Sequence, residues 1–141
     1  MSSYNDEIIA EFRANDGKVG GPFAGGTLLL LTSKGAKSGK DHTTPMMYQA
    51  DGGRWLVFAS YAGAPKHPAW YHNIVANPDA VAEFGAAGGG VERIPVRAVV
   101  IEGAERDRLF AEQVARNPGF GDYQDKTSRV IPVVALERRK D

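Results

Sequence analysis

Hydrophobic positions along the chain change their period several times, and each change marks an element. Ile8, Ile9 and Phe12 stand at i, i+1 and i+4, with Glu7 and Glu11 on another side. That spacing predicts an amphipathic helix over 4–14, stopped by Asn15-Asp16-Gly17. It reads either as a plain packing helix or, because terminal segments are often weakly tied down, as a lid over a pocket. Lys18 to Gly26 is glycine-rich with Pro22 and predicts a loop. The apolar run Thr27–Thr32 is too short for a buried helix and predicts a central strand. Thr43–Ala50 predicts a second strand, with Pro45 near its start, where a lost backbone donor is tolerable. Asp51-Gly52 is a hairpin signal. Its partner strand is Arg54–Ser60, in which Trp55, Val57 and Ala59 alternate against Leu56 and Phe58.

Pro68 suits the first turn of a helix, where its missing N–H costs nothing, and that helix should end before Asn77-Pro78. Ala80–Phe84 reads as a short strand, Gly85–Gly90 as an exposed turn, and Val91–Glu102 as a long alternating strand. Glu105–Arg116 reads as a helix burying Leu109, Phe110 and Val114, terminated by Asn117-Pro118-Gly119. Residues 117–124 then form a loop. Val130–Leu136 is a last strand whose Pro132 predicts an edge or a bulge. The count is about six strands and three helices. Most strands follow one another through short turns, so the sheet should be antiparallel, and closure into a barrel is the economical way to remove its edges. The fold class is α+β, a small barrel with helices packed outside.

Composition narrows the picture without adding chemistry. At 141 residues, 43% apolar and 24% charged, the chain is sized for one self-sufficient core. Lysine and arginine balance aspartate and glutamate to a formal net charge of zero, which disfavours a nucleic-acid footprint spread over the surface. Without cysteine there is no disulfide and no thiolate metal site. The N-terminus lacks an apolar signal core, and no run approaches the ~18 apolar residues of a membrane span. The expectation is a cytoplasmic protein, with peripheral membrane contact left open.

Two loops carry candidate chemistry. Gly35-Ala36-Lys37-Ser38-Gly39-Lys40 superficially suggests a phosphate loop, but it is one residue short, carries Asp41 where Ser or Thr is needed, and leads into a strand. It can still form a nest of backbone N–H groups that attracts phosphate or carboxylate. Lys34, Lys37, Lys40 and His42 add positive charge, and Ser38, Thr43 and Thr44 offer hydroxyls; the plainer alternative is a solvated hairpin loop. The second loop, Ser60 to Lys66, is built of small residues that let backbone approach a flat ligand. It leads into a helix start bearing Trp70 and Tyr71, which otherwise read as core. A helix N-terminus favours anions. His67 and His72 should diverge on a helix, so no metal site is expected. In the tail, Tyr123 could hydrogen-bond a ligand or fill a surface groove.

Taken together, LLLLTSKGAKSGKDHTTPMMY, FASYAGAPKHPAWYHNIVANP and GFGDYQDKTSRVIPV resemble the deazaflavin-dependent nitroreductase and quinone-reductase family of actinobacteria. The resemblance runs from about Gly20 to Leu136, and GAPKHPAWYHN is its most specific part. It implies a split β-barrel, residues 21–141, preceded by a helix and loop at 1–20. It also implies coenzyme F420, a deazaflavin with a phosphate-linked oligoglutamate tail. By resemblance, Ala36, Lys37 and Ser38 meet that tail. His42, Thr43, Thr44, Pro45, Met46 and Met47 follow the ribityl-phosphate region. Phe58, Ala59, Ser60 and Tyr61 lie along the ring, and Ala69, Trp70, Tyr71, His72 and Asn73 hold the other end. Tyr123 and Ser60 are the candidates to polarise an acceptor oxygen. Family members often carry Lys where this chain has Tyr61 and Tyr where it has Phe120, which bears on the acceptor. The implied activity is hydride transfer to a quinone, a nitroaromatic or an unsaturated lactone, so the implied partner is a small-molecule acceptor, with peripheral membrane contact if that acceptor is a lipid quinone. An FMN reductase on the same barrel and a non-catalytic deazaflavin carrier are the rivals.

Overall fold

The computed structural model describes residues 4–15, 28–59, 67–85, 90–116, 118–127 and 130–139. The glycine loop expected at 18–26, the second loop at 60–66 with Ser60 and Tyr61, and the turn at 86–89 lie outside them. The described elements are α1 (Tyr4–Ala14), β1 (Leu28–Lys34), β2 (Asp41–Met47), β3 (Gln49–Asp51), β4 (Arg54–Phe58), α2 (Ala69–Ala76), β5 (Asp79–Gly85), β6 (Val91–Ile101), α3 (Gly103–Arg116), α4 (Gly119–Asp125) and β7 (Val133–Arg138).

The seven strands form one sheet in the order β2-β1-β5-β6-β7-β4-β3, and every pairing is antiparallel. β2 and β3 are separated in the chain by Tyr48 alone, yet they stand at opposite ends of that order. A flat sheet cannot satisfy both facts, so the sheet is curled until its two ends meet at Tyr48. The result is a split β-barrel, closed by the chain rather than by a full ladder. The β3–β4 turn follows the two-residue hairpin rule, with Gly52 and Gly53 at φ 53° and 91°.

Side-chain alternation sorts the core into three parts. Leu29, Leu31, Met46, Val57, Trp70, Val134 and Leu136 fill the barrel. Leu28 and Leu30, on the other face of β1, pack under Ile8 and Phe12 of α1. Leu56, Phe58, Val133 and Ala135, on the outer face of β4 and β7, pack under Leu109, Phe110 and Phe120 of α3 and α4. Strands covered on both faces read as uninterrupted apolar runs, which accounts for Leu28–Leu31 and Val133–Leu136.

Three expectations need correction. The single strand at 43–50 is two, because the chain turns the barrel corner at Tyr48; this raises the strand count to seven. The loop at 117–124 is helical from Gly119, which raises the helix count to four. Two glycines weaken that helix intrinsically, but burial of Phe120 overrides propensity, and Gly121 lets α4 pass close to Val114 of α3. A Cβ there would lie 3.3 Å from Val114 Cγ1. Arg106 also ties α4 down, donating to Gln124 Oε1 at 3.0 Å and to the Ile131 carbonyl at 2.8 Å. Finally, Pro132 does not mark an edge. β7 is paired on both sides, and Pro132 precedes it, accepting from the Ala59 N–H at 3.0 Å. Pro45 does sit on an edge strand, since β2 pairs only with β1 among the described residues.

Candidate functional site

A cleft of about 540 Å³ opens along β2, on the edge that has no partner strand among the described residues. That size is within the range of small-molecule and cofactor sites. β2 supplies Asp41, His42, Thr43 and Thr44; α2 supplies Ala69, Trp70 and Asn73; α1 supplies Asp6, Ile9 and Arg13. The walls therefore alternate apolar surface (Ile9, Ala69, Trp70) with hydroxyl, amide and charged groups. Thr32 and Thr43 share a hydrogen bond between their hydroxyls at 2.7 Å, which fixes Thr43 against β1.

The lysine loop closes the β1–β2 hairpin beside this cleft. Gly35 N–H donates to the Lys40 carbonyl at 2.8 Å, and Gly39 N–H to the Gly35 carbonyl at 3.0 Å. Gly39 has φ 69°, a backbone state that favours glycine. Ser38 Oγ accepts from the Lys40 N–H at 3.1 Å and lies 3.4 Å from His42 Nε2. Most importantly, the Ala36 N–H donates to Asn73 Oδ1 at 3.0 Å. One side-chain hydrogen bond thus joins the lysine loop to the tryptophan-bearing helix. Lys37 and Lys40 are exposed.

Gly35 is held by this packing. A Cβ on it would lie 2.6 Å from Ser38 Oγ and 2.9 Å from His42 Nε2. Gly35→Ala should therefore turn the Ser38 hydroxyl away from Lys40 and push the His42 ring outward, at a stability cost on the order of 1 kcal/mol. The His42 imidazole resonances and a thermal melt check this; unchanged resonances would mean the loop relaxes some other way.

The predicted site residues divide. His42, Thr43, Thr44, Ala69, Trp70 and Asn73 line the cleft, and Ala36 is tied to it through Asn73. Pro45 pairs with Leu30, Met46 is buried in the barrel, and Met47 packs beside α1. Phe58 points to the opposite face of β4, among Phe110 and Phe120, and Ala59 is buried in the barrel. Tyr71 is half-buried against the barrel core; burial, and to a lesser extent Glu102, raises its phenol pKa, so the ring stays neutral. His67 and His72 do not diverge. His67 precedes the helix, and the two rings lie 5.9 Å apart with Tyr71 beside both. No group of three or more histidine, aspartate or glutamate side chains among the described residues is placed to hold a metal. Tyr123 sits on α4, half-buried, its ring 5.4 Å from Phe120, in the cluster that also contains Phe58.

The sequence offers α1 as a lid over a pocket but does not single out the residues that line the cleft. Asp6, Ile9 and Arg13 recur at i, i+3 and i+7, one stripe of the helix, next to the Ile8/Phe12 stripe that packs. The signal was present in the spacing but was masked by reading Ile9 as part of the core face. Arg13 is held by Glu83 of β5, Nε to Oε1 at 3.1 Å and Nη2 to Oε2 at 2.7 Å, and Glu83 is only 3% exposed.

Fold and cleft define a split barrel with a cofactor-sized cleft. The family described as F420H(2)-dependent quinone reductase matches residues 6–138, and the chain belongs to that family. An F420H(2)-dependent quinone reductase of Mycobacterium tuberculosis is 38% identical over 131 residues, covering 92% of this chain and 87% of the relative. Among solved structures, an F420-H2 dependent reductase (FDR-A) superposes with a TM-score of 0.68 at 38% identity, covering 79% of this chain and 94% of that one. A second, described as a domain-swapped dimer, superposes with a TM-score of 0.71 at 36% identity, covering 93% and 92%. The protein is an F420H2-dependent reductase with coenzyme F420 as its cofactor. No helix among the described residues is long and apolar enough to cross a membrane.

The donor set suits that cofactor. The cleft offers Ile9, Ala69 and the Trp70 indole to a tricyclic head, and hydroxyl and amide groups to a polyhydroxy chain. Exposed lysines at its rim suit an acidic tail.

Proposed function

We propose that the cleft holds F420 lengthwise, head against the Trp70 end of α2 and tail over Lys37 and Lys40, and that the acceptor is a quinone, a nitroaromatic or an unsaturated lactone. The observation that carries this is the Ala36–Asn73 hydrogen bond, which sets the two gripping elements at a fixed separation. When bound, the reduced deazaflavin supplies a hydride. The chain's residues bind, orient and keep water off the head, and positioning accounts for most of the acceleration. Ser38 and the backbone at Lys37 and Ser38 meet the tail, the Ala36, Gly39 and Lys40 N–H groups being engaged within the protein; Thr43, Thr44 and Asn73 hold the chain.

Tyr123 is the candidate to donate a hydrogen bond to the acceptor oxygen as negative charge develops there. Its half-buried ring lies against Phe120 on α4, outside the residues that line the cleft, so an acceptor that meets it must extend beyond that lining. Tyr123→Phe is expected to lower turnover more than it weakens cofactor binding. Collapsed F420 affinity with normal turnover of the bound complex would contradict that role.

Ultraviolet–visible titration with oxidised and reduced F420, then an acceptor screen on the same sample, tests the whole reading. Tight FMN binding in preference to F420 supports the flavin rival. F420 binding without turnover on any acceptor supports a carrier. A cytoplasmic location belongs to this reading. Peripheral membrane contact follows for a lipid quinone, and vesicle flotation tests it.

A further inference from the structure

Arg13 has a use for its position that packing does not explain. Among the described residues lining the cleft it is the only lysine or arginine, set among the carboxylates Asp6 and Asp41, while the loop lysines lie outside that lining. Its Nε and Nη2 are committed to Glu83, whose burial fixes the plane and direction of the guanidinium. Nη1 has no partner among the described residues, while the side chain is 47% exposed. A guanidinium held edge-on by a buried carboxylate, with its other edge free, is a pre-organised donor for an oxyanion.

Resting on the F420 reading above, we infer that Arg13 binds the cofactor directly, donating from Nη1 to an anionic oxygen, either of the phosphodiester or of a glutamate carboxylate, and that Glu83 is its positioning residue. α1 then contributes to recognition, not only to packing.

The experiment separates recognition from folding. Arg13→Gln alone leaves Glu83 buried without its cation, so it is paired with Glu83→Gln, which lets two neutral amides face each other. The double variant should melt near wild type. Its dissociation constant should rise about tenfold for F420. Three ligands are titrated by absorbance and fluorescence: the deazaflavin head with its ribityl chain but no phosphate, the phosphorylated form without glutamates, and full F420. Loss on both phosphate-bearing forms assigns the phosphodiester; loss on full F420 alone assigns a carboxylate. The head without phosphate should bind both proteins equally. Wild-type affinity for all forms, or an equal loss on all three, overturns the inference.

Arg13→Lys guards against misfolding of the double variant. It keeps the charge beside Glu83 but has one nitrogen for two tasks, so it should fold and show the same selective loss; undiminished F420 affinity in it also overturns the inference. If wild type binds none of the three ligands, the F420 reading itself fails, and this inference with it.

Discussion

Trp70→Ala is expected to cost about 3–5 kcal/mol of stability, lowering Tm by roughly 10 °C or more. It should also remove most cofactor affinity. The indole is 9% exposed and belongs to the barrel core together with Leu31, Met46 and Ile74. It also forms part of the cleft wall. Truncation leaves a void that the curled sheet can fill only partly, and the void opens toward the ligand. Trp70→Phe retains most of the volume and should cost much less. A thermal melt followed by circular dichroism checks both variants. An alanine variant melting within a degree or two of wild type would show that the indole is dispensable to the core.

The second large effect concerns the lysine loop. Replacing Lys37 and Lys40 together by alanine should weaken F420 binding by about 2–3 kcal/mol at low salt, roughly 30- to 150-fold. Both ammonium groups are exposed, so the effect is one of screened charge and not of packing. At the Debye length of about 8 Å found in physiological salt, much of the difference between variant and wild type should disappear. The melting temperature should hardly move, because exposed charges contribute little to stability. Titrations at low and high ionic strength decide it. A low-salt dissociation constant matching wild type would remove the loop from the site.

Much of the barrel was legible because both faces of its strands are covered. Leu28–Leu31 and the alternation at Trp55–Ala59 announce strands whatever lies above them. The corner at Tyr48 was not legible. Met46, Met47, Tyr48 and Gln49 carry no glycine or proline, and only the tertiary demand that the sheet roll up divides the run. α4 was hidden for the opposite reason: Pro118, Gly119 and Gly121 suggest a turn, while the burial of Phe120 and the Arg106 clamp that make it helical are contacts across the fold. In the site, residue type and order pointed to the lysine loop, Thr43, Thr44, Trp70 and Asn73. Nothing local ties Arg13 to Glu83, which are 70 positions apart. Phe58, assigned by resemblance to the ring, packs on the outer face of β4 with Phe110 and Phe120, a side that its alternation with Val57 and Ala59 already indicates.

The single-residue junction at Tyr48 has a mechanical consequence. It works like the stitched end of a collar: the two ends of the sheet order are covalently fastened there. β2 leaves that stitch at Met47, with Met46 buried in the barrel, and reaches its far end at Asp41, beside the lysine loop. That far end is pinned as well, by the Ala36–Asn73 hydrogen bond from the loop to α2. A bulky, charged guest therefore meets a rim fastened at both ends, by a covalent link at one and a single hydrogen bond at the other.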